Sequence, residues 1–182
     1  MMVGGISVRW PAWALLLAVA LLGGCGQGDG SLGLEVDAVE EVFVGEGITE
    51  GLLAVTVTLE NHGTRAVHVF YNGIRLVPEG GDPRGYGEFI RDLGPLAAQD
   101  PVPAEHAELR AALDTLGFDR AWVRATVRNE RAIEPGESVR ERFGFRVDGP
   151  TGWGTLELRY HDDATDRFER IQRPVRVASD SR

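Results

Sequence analysis

The sequence predicts an all-β fold, an antiparallel sandwich interrupted by one helical insertion, and two observations carry that prediction. From Leu34 onward apolar residues recur with a period of two, and turn-forming residues cut the alternating runs at short intervals. One stretch, 79–117, loses the alternation, is rich in Gly, Pro and Asp, and ends in a helical pattern.

Taken in order, strands are expected near 34–44, 52–60, 65–71, 73–78, 121–128, 138–147, 155–161 and 168–177. Val55, Val57 and Leu59 alternate with Thr56, Thr58 and Glu60. Val139, Phe143, Phe145 and Val147 share one parity, opposite Arg140, Arg142 and Arg146, and Leu156, Leu158 and Tyr160 alternate with Glu157, Arg159 and His161. Turns are expected at Asn61-His62-Gly63, Asn72-Gly73, Glu134-Pro135-Gly136-Glu137, Asp148-Gly149-Pro150 and 162–166, where Gly, Asn, Asp and Pro supply the backbone angles a reversal needs. A helix is expected at 104–116: Leu109, Leu113 and Leu116 fall at i, i+4 and i+7, and Gly117 suits a C-cap. The sandwich domain then spans 34–178, with a frayed tail at 179–182.

The chain has 182 residues, one Cys and a net charge of −9, with 43% hydrophobic residues, enough for one packed core. The acidic balance argues against nucleic acid or an anionic bilayer as partner, since phosphate affinity comes from basic groups. All 19 basic residues are Arg, so lysine-based nucleophiles and Schiff bases are excluded. A lone Cys permits no internal disulfide.

The first 24 residues have the three parts of a secretory leader: Arg9 as its only charge, an apolar run from Trp10 to Leu22, then small residues. Thirteen apolar residues are too few to span a bilayer, which takes about 20. The leader is therefore expected to be cleaved. Leu22-Gly23-Gly24-Cys25 resembles the bacterial lipobox, with an aliphatic residue at −3, small residues at −2 and −1, and the Cys. The resemblance implies recognition of Leu22, Gly23 and Gly24 by a signal peptidase, and diacylglycerol and acyl chains on Cys25, which hold the chain on a lipid bilayer at about 0.8 kcal/mol per buried methylene. Gly26 after the Cys implies the outer membrane, facing the periplasm. Residues 25–33 then form the lipidated N-terminus and a short flexible tether.

Leu53-Ala54-Val55-Thr56-Val57-Thr58-Leu59-Glu60-Asn61-His62-Gly63 and the later Ile133-Glu134-Pro135-Gly136-Glu137-Ser138-Val139 resemble small extracytoplasmic immunoglobulin-like domains of bacterial lipoproteins. The resemblance covers about half of the chain after Cys25 and implies an immunoglobulin-like sandwich. The 79–117 insertion departs from it.

No catalytic constellation is legible. His62, His68, His106 and His161 show no close pairing, and Asp162, Asp163 and Asp166 lack the Gly and distal Glu of a calcium loop, so neither a metal nor a cofactor is expected. Serines are few and no nucleophile elbow is present. Gly80-Gly81-Asp82-Pro83-Arg84-Gly85 follows a strand but shows no adjacent helix, as a phosphate loop requires. Trp153 in a Gly-rich turn, with Tyr86 and Phe89 in the insertion, are the candidate partner contacts. The expected function is that of a non-enzymatic, membrane-anchored binding or assembly module. An envelope enzyme pairing carboxylates of the insertion with His62, His68 or His161, or a structural accessory of a secretion or transport complex, is the alternative.

Overall fold

The computed structural model describes residues 31–44, 50–126, 128–148 and 152–176. Three antiparallel strands form the first sheet, in the order β1 (Leu32–Val44), β2 (Glu50–Asn61), β7 (Ser138–Val147). The second sheet is built on β8 (Trp153–Asp162). β9 (Arg167–Arg176) pairs with one edge of it along the whole length. The other edge is shared by β3 (Val67–Phe70) and β4 (Arg75–Pro78), which pair outward with β6 (Glu130–Ile133) and the short β5 (Arg84–Gly85). This is the antiparallel sandwich with a helical insertion that the alternation predicts.

β3 and β4 do not form the hairpin that Asn72-Gly73 suggests. They run in the same direction along β8, Val67 opposite Asp162 and Pro78 opposite Gly154, as one strand broken by a 3-10 turn at Tyr71–Gly73. A Cβ on Gly73 would lie 3.0 Å from Arg159 Cβ, so the glycine lets the break lie tight against β8.

The insertion holds more helix than its sequence suggests. α1 (Tyr86–Ala98) begins directly after Gly85, where no adjacent helix is expected. Tyr86, Phe89, Leu93, Leu96 and Ala97 make its buried stripe, at helical spacing despite Gly87, Gly94 and Pro95. The helix expected at 104–116 is a 3-10 turn at Ala104–His106 followed by α2 (Ala107–Thr115). Residues 121–128, expected as a strand, instead carry α3 (Arg120–Thr126). The Asp119 carboxylate caps it, accepting the amides of Ala121 and Trp122 at 2.8 and 3.0 Å.

The helices lie over the first sheet. β2 shows the result: Leu52, Leu53, Ala54 and Val55 are all fully buried, so both faces of the strand are covered, one by the second sheet and one by the insertion. Phe89 meets Gly144 of β7, and Arg142 of β7 reaches the carbonyl of Leu116. The outer face of the second sheet has no such layer among the described residues. Both large apolar side chains that remain exposed among the described residues, Trp153 at 50% and Phe168 at 63%, stand on it.

The two ends of the sandwich are distinct. At one end, Asn61 donates to the carbonyls of Arg65 and Ile133 and accepts the amide of Gly63, while Gly136 N–H donates to the carbonyl of Asn61. The two motifs behind the immunoglobulin-like resemblance thus close on one buried asparagine. Ser31 is fixed at this same end. Its hydroxyl donates to Asp162 at 2.8 Å, and its carbonyl accepts the amide of His62 at 2.7 Å. Trp153 begins β8 at the opposite end, about 30 Å away by strand rise.

Candidate functional site

Trp153 is the first residue of β8 and so sits where the sandwich runs out. Three segments meet it: the loop at 79–82 that opens the insertion, the end of β7 at Val147 and Asp148, and Gly152. Glu79 N–H donates to the carbonyl of Trp153 at 2.9 Å, and Gly80 takes φ 73°, the left-handed region that glycine adopts without cost. Together they enclose an open cleft of about 350 Å³ lined by Pro78, Glu79, Gly80, Gly81, Asp82, Arg84, Val147, Asp148, Gly152 and Trp153.

The indole is held on one side by the Arg176 guanidinium, 5.0 Å from the ring centroid, a cation–π contact of the kind that orients an exposed ring. Arg84 pairs with Asp148 within the cleft. Glu79 and Asp82 have no ion-pair partner among the described residues, so the cleft joins an exposed indole to uncompensated negative charge. Such a surface favours an apolar side chain flanked by a cation.

Of the three contacts the sequence proposes, only Trp153 faces solvent. Tyr86 and Phe89 are 2% and 1% exposed and belong to the core. Phe89 packs edge-on to Phe118 and Trp122, with centroids 4.9 and 5.8 Å away. The Tyr86 hydroxyl accepts from Trp122 Nε1 at 2.9 Å and donates to the carbonyl of Arg142 at 3.3 Å. Burial pushes its pKa far above the tyrosine range against the opposing Trp122 hydrogen bond, so it stays neutral. The insertion reaches the site through its opening loop, not through its aromatics. Cys25, Leu22, Gly23 and Gly24, the tail at 179–182 and residues 25–30 of the expected tether lie outside the described residues, while its last three residues are not tether: Ser31 is hydrogen-bonded to Asp162, and Leu32 and Gly33 pair in β1.

No family model and no curated protein matches. Among solved structures, a structural-genomics target named SoR45 is similar over 83% of this chain and 89% of its own, with 13% identity and a TM-score of 0.47. A putative ApaA protein from Bordetella pertussis is similar over 81% and 96%, with 13% identity and a TM-score of 0.38. A beta-glucuronidase from Bacteroides uniformis is similar at 8% identity and a TM-score of 0.34, over 80% of this chain and only 13% of the enzyme. No activity carries over from likenesses of this kind.

The histidines show what spacing along the chain hides. His68 of β3 stands opposite His161 of β8, and both engage Asp163, at 3.3 and 3.0 Å, while the other nitrogen of His161 meets Asp166 at 3.2 Å. Burial works to raise the Asp163 pKa, but hydrogen bonds from His161 and His68, with their charge, outweigh it and hold the carboxyl below the ordinary range. These carboxylates come from the β8–β9 hairpin; the insertion contributes none to the group. His62 lies beside Glu60, away from it. His68 Nε2 and both nitrogens of His161 point at carboxylate oxygens instead of a shared centre, and no metal-holding group of three occurs among the described residues. Asp162 is 3% exposed and spent on Ser31 and the amide of Ala164, an internal brace of the hairpin.

Proposed function

We propose that the chain is a bacterial envelope lipoprotein, held on a membrane through acylated Cys25 and acting as a non-enzymatic binding module that captures a partner protein at the Trp153 cleft. The observation that carries this reading is the position of Trp153: half-exposed, at the end of β8 remote from Ser31, in a cleft with Glu79 and Asp82, which have no ion-pair partner among the described residues. A lipid on Cys25 tethers the Ser31 end, so the cleft faces away from the bilayer toward whatever the envelope presents. The partner it fits offers an apolar or aromatic side chain beside Lys or Arg. The outer membrane, by Gly26, is the location this reading favours.

Deletion of 80–117 is no test of this reading, because that segment carries Tyr86, Phe89, Leu93, Leu113 and Leu116 of the core. The test has two arms. Growth on a labelled fatty acid should mark the chain and leave Cys25→Ser unmarked. A photo-crosslinking residue at position 153 should trap a discrete envelope protein, and the same residue at Arg140 on the other sheet should not. An unlabelled chain refutes the anchor. Identical adducts from the two positions refute the cleft.

A further inference from the structure

The uncovered face of the second sheet carries a groove where the 3-10 turn interrupts the β3–β4 line. Its lining is Phe70, Asn72, Gly73, Arg75, Arg159 and Phe168, around a space of about 310 Å³. Phe168 is the most exposed large apolar side chain among the described residues, at 63%. Its ring stands 5.8 Å from that of Phe70 and 5.1 Å from His161, with the Arg159 guanidinium 5.9 Å from its centroid. Neither Arg75 nor Arg159 has a carboxylate partner among the described residues. The carboxylates nearest by register are engaged elsewhere: Glu157 by Arg170 and Gln172, Asp163 and Asp166 by the histidines. Two free guanidiniums beside an exposed phenyl ring, on a chain of net charge −9, form a local basic and apolar patch that the overall charge conceals.

Its place in the molecule names the ligand. Phe168 lies opposite His161, next to the Asp162–Arg167 pair, and Asp162 holds Ser31. Arg159 is three residues up the same strand, about 10 Å by strand rise. From Ser31 back to Cys25 the chain reaches at most about 20 Å. We propose that this groove binds the phosphate of a phospholipid headgroup in the bilayer to which the chain is anchored, Arg75 and Arg159 taking the phosphate oxygens and Phe168 entering the headgroup boundary. The proposal rests on the anchoring of Cys25. Guanidiniums match phosphate in paired hydrogen bonds, and an aromatic ring beside them suits the membrane–water interface. Tethering to the same bilayer keeps the headgroups at high effective concentration, so a weak site suffices.

The test uses the full chain carrying Phe168→Trp, in vesicles of phosphatidylethanolamine and phosphatidylglycerol with acyl-brominated phospholipid. Emission gained over the unsubstituted chain should be quenched by the bromines and shielded from iodide in the water. In vesicles of acyl-brominated digalactosyldiacylglycerol, which has no phosphate, that quenching should vanish. Arg75→Ser with Arg159→Ser should lower the docked-to-free ratio about 30-fold, from about 1 kcal/mol per basic residue at an anionic lipid surface, with the circular dichroism unchanged. Equal quenching with and without phosphate, or full access to iodide in every vesicle, overturns the proposal. So does a groove that takes up an acidic protein segment while leaving the lipid untouched. Fatty-acid labelling of Cys25 separates the two readings. Labelling without quenching removes the groove alone, and quenching without labelling removes the anchor alone.

Discussion

Gly144→Ala tests how the insertion is mounted on the sandwich. A Cβ built on Gly144 lies 2.3 Å from Phe89 Cε1 and 2.4 Å from Cζ, against 3.4–4 Å for ordinary contact. The Phe89 ring must therefore retreat by about 1 Å, and it has nowhere to go: it is 1% exposed and wedged against Phe118, Trp122 and Tyr86. Overpacking of a filled core costs about 1–3 kcal/mol, and the rigid ring with aromatic neighbours puts this site at the upper end, about 3. Phe89→Ala alone should cost about 3–5 kcal/mol, through lost transfer energy and the void it leaves. In the double variant the new methyl occupies part of that void, so the total should fall short of additivity by at least about 1 kcal/mol. Urea unfolding of the full chain, followed through Trp122, reads all three values. Gly144→Ala within about 0.5 kcal/mol of the parent, or strict additivity in the double variant, would show that α1 does not sit on β7 as described.

Two further expectations concern polar groups. Tyr86→Phe removes the acceptor of Trp122 Nε1 and the donor to the Arg142 carbonyl, and should cost about 1–3 kcal/mol with an unchanged dependence on urea; an unchanged midpoint refutes that pairing. Asp163 and Glu141 should tilt stability with pH in opposite senses. The Asp163 carboxyl titrates below the ordinary value of 3.8 in the folded chain, so its contribution is present above that value and lost as pH falls through the folded one; Asp163→Asn should flatten the acid limb of a pH–melting profile. Burial raises the Glu141 carboxyl, with Arg131 opposing, so folding is favoured with Glu141 protonated and stability declines as pH rises from its unfolded toward its folded value. Glu141→Gln should remove that decline, and a steeper one contradicts it.

Strands were legible where one face is wet. β7 falls at the expected 138–147, and β8 and β9 within two residues of their expected ends, because each alternates apolar with charged residues. Legibility failed where a face is covered or a strand is broken. The apolar run Leu52-Leu53-Ala54-Val55 marks a strand buried on both sides, yet the layer above it was hidden, since Gly87, Gly94 and Pro95 mask the stripe of α1. That stripe also explains Tyr86 and Phe89: at helical spacing they are core, and only their neighbourhood in a Gly-rich stretch made them look exposed. α3 is not legible as a helix because Ala121 to Arg128 lacks a helix-length apolar period, although Asp119 is a sound cap. Trp153 needed no helix to place it, standing at the mouth of an alternating strand. Arg75, Arg159 and Phe168 were unreadable as a group, since only the break at Tyr71–Gly73 sets them around one space.

The fastening of Ser31 has a mechanical side. Any load carried by the chain before Ser31 enters the fold at the start of β1, an edge strand paired with β2 at twelve positions from Leu32↔Asn61 to Val44↔Glu50. Drawn along the strand, those pairs bear force together and resist; drawn sideways, they open one at a time like a seam. The Ser31–Asp162 bond is the stitch at the end of that seam, and it carries part of the strain across to the second sheet. A tug on the N-terminus is thereby spread over both halves of the sandwich before the first rung of β1 gives way.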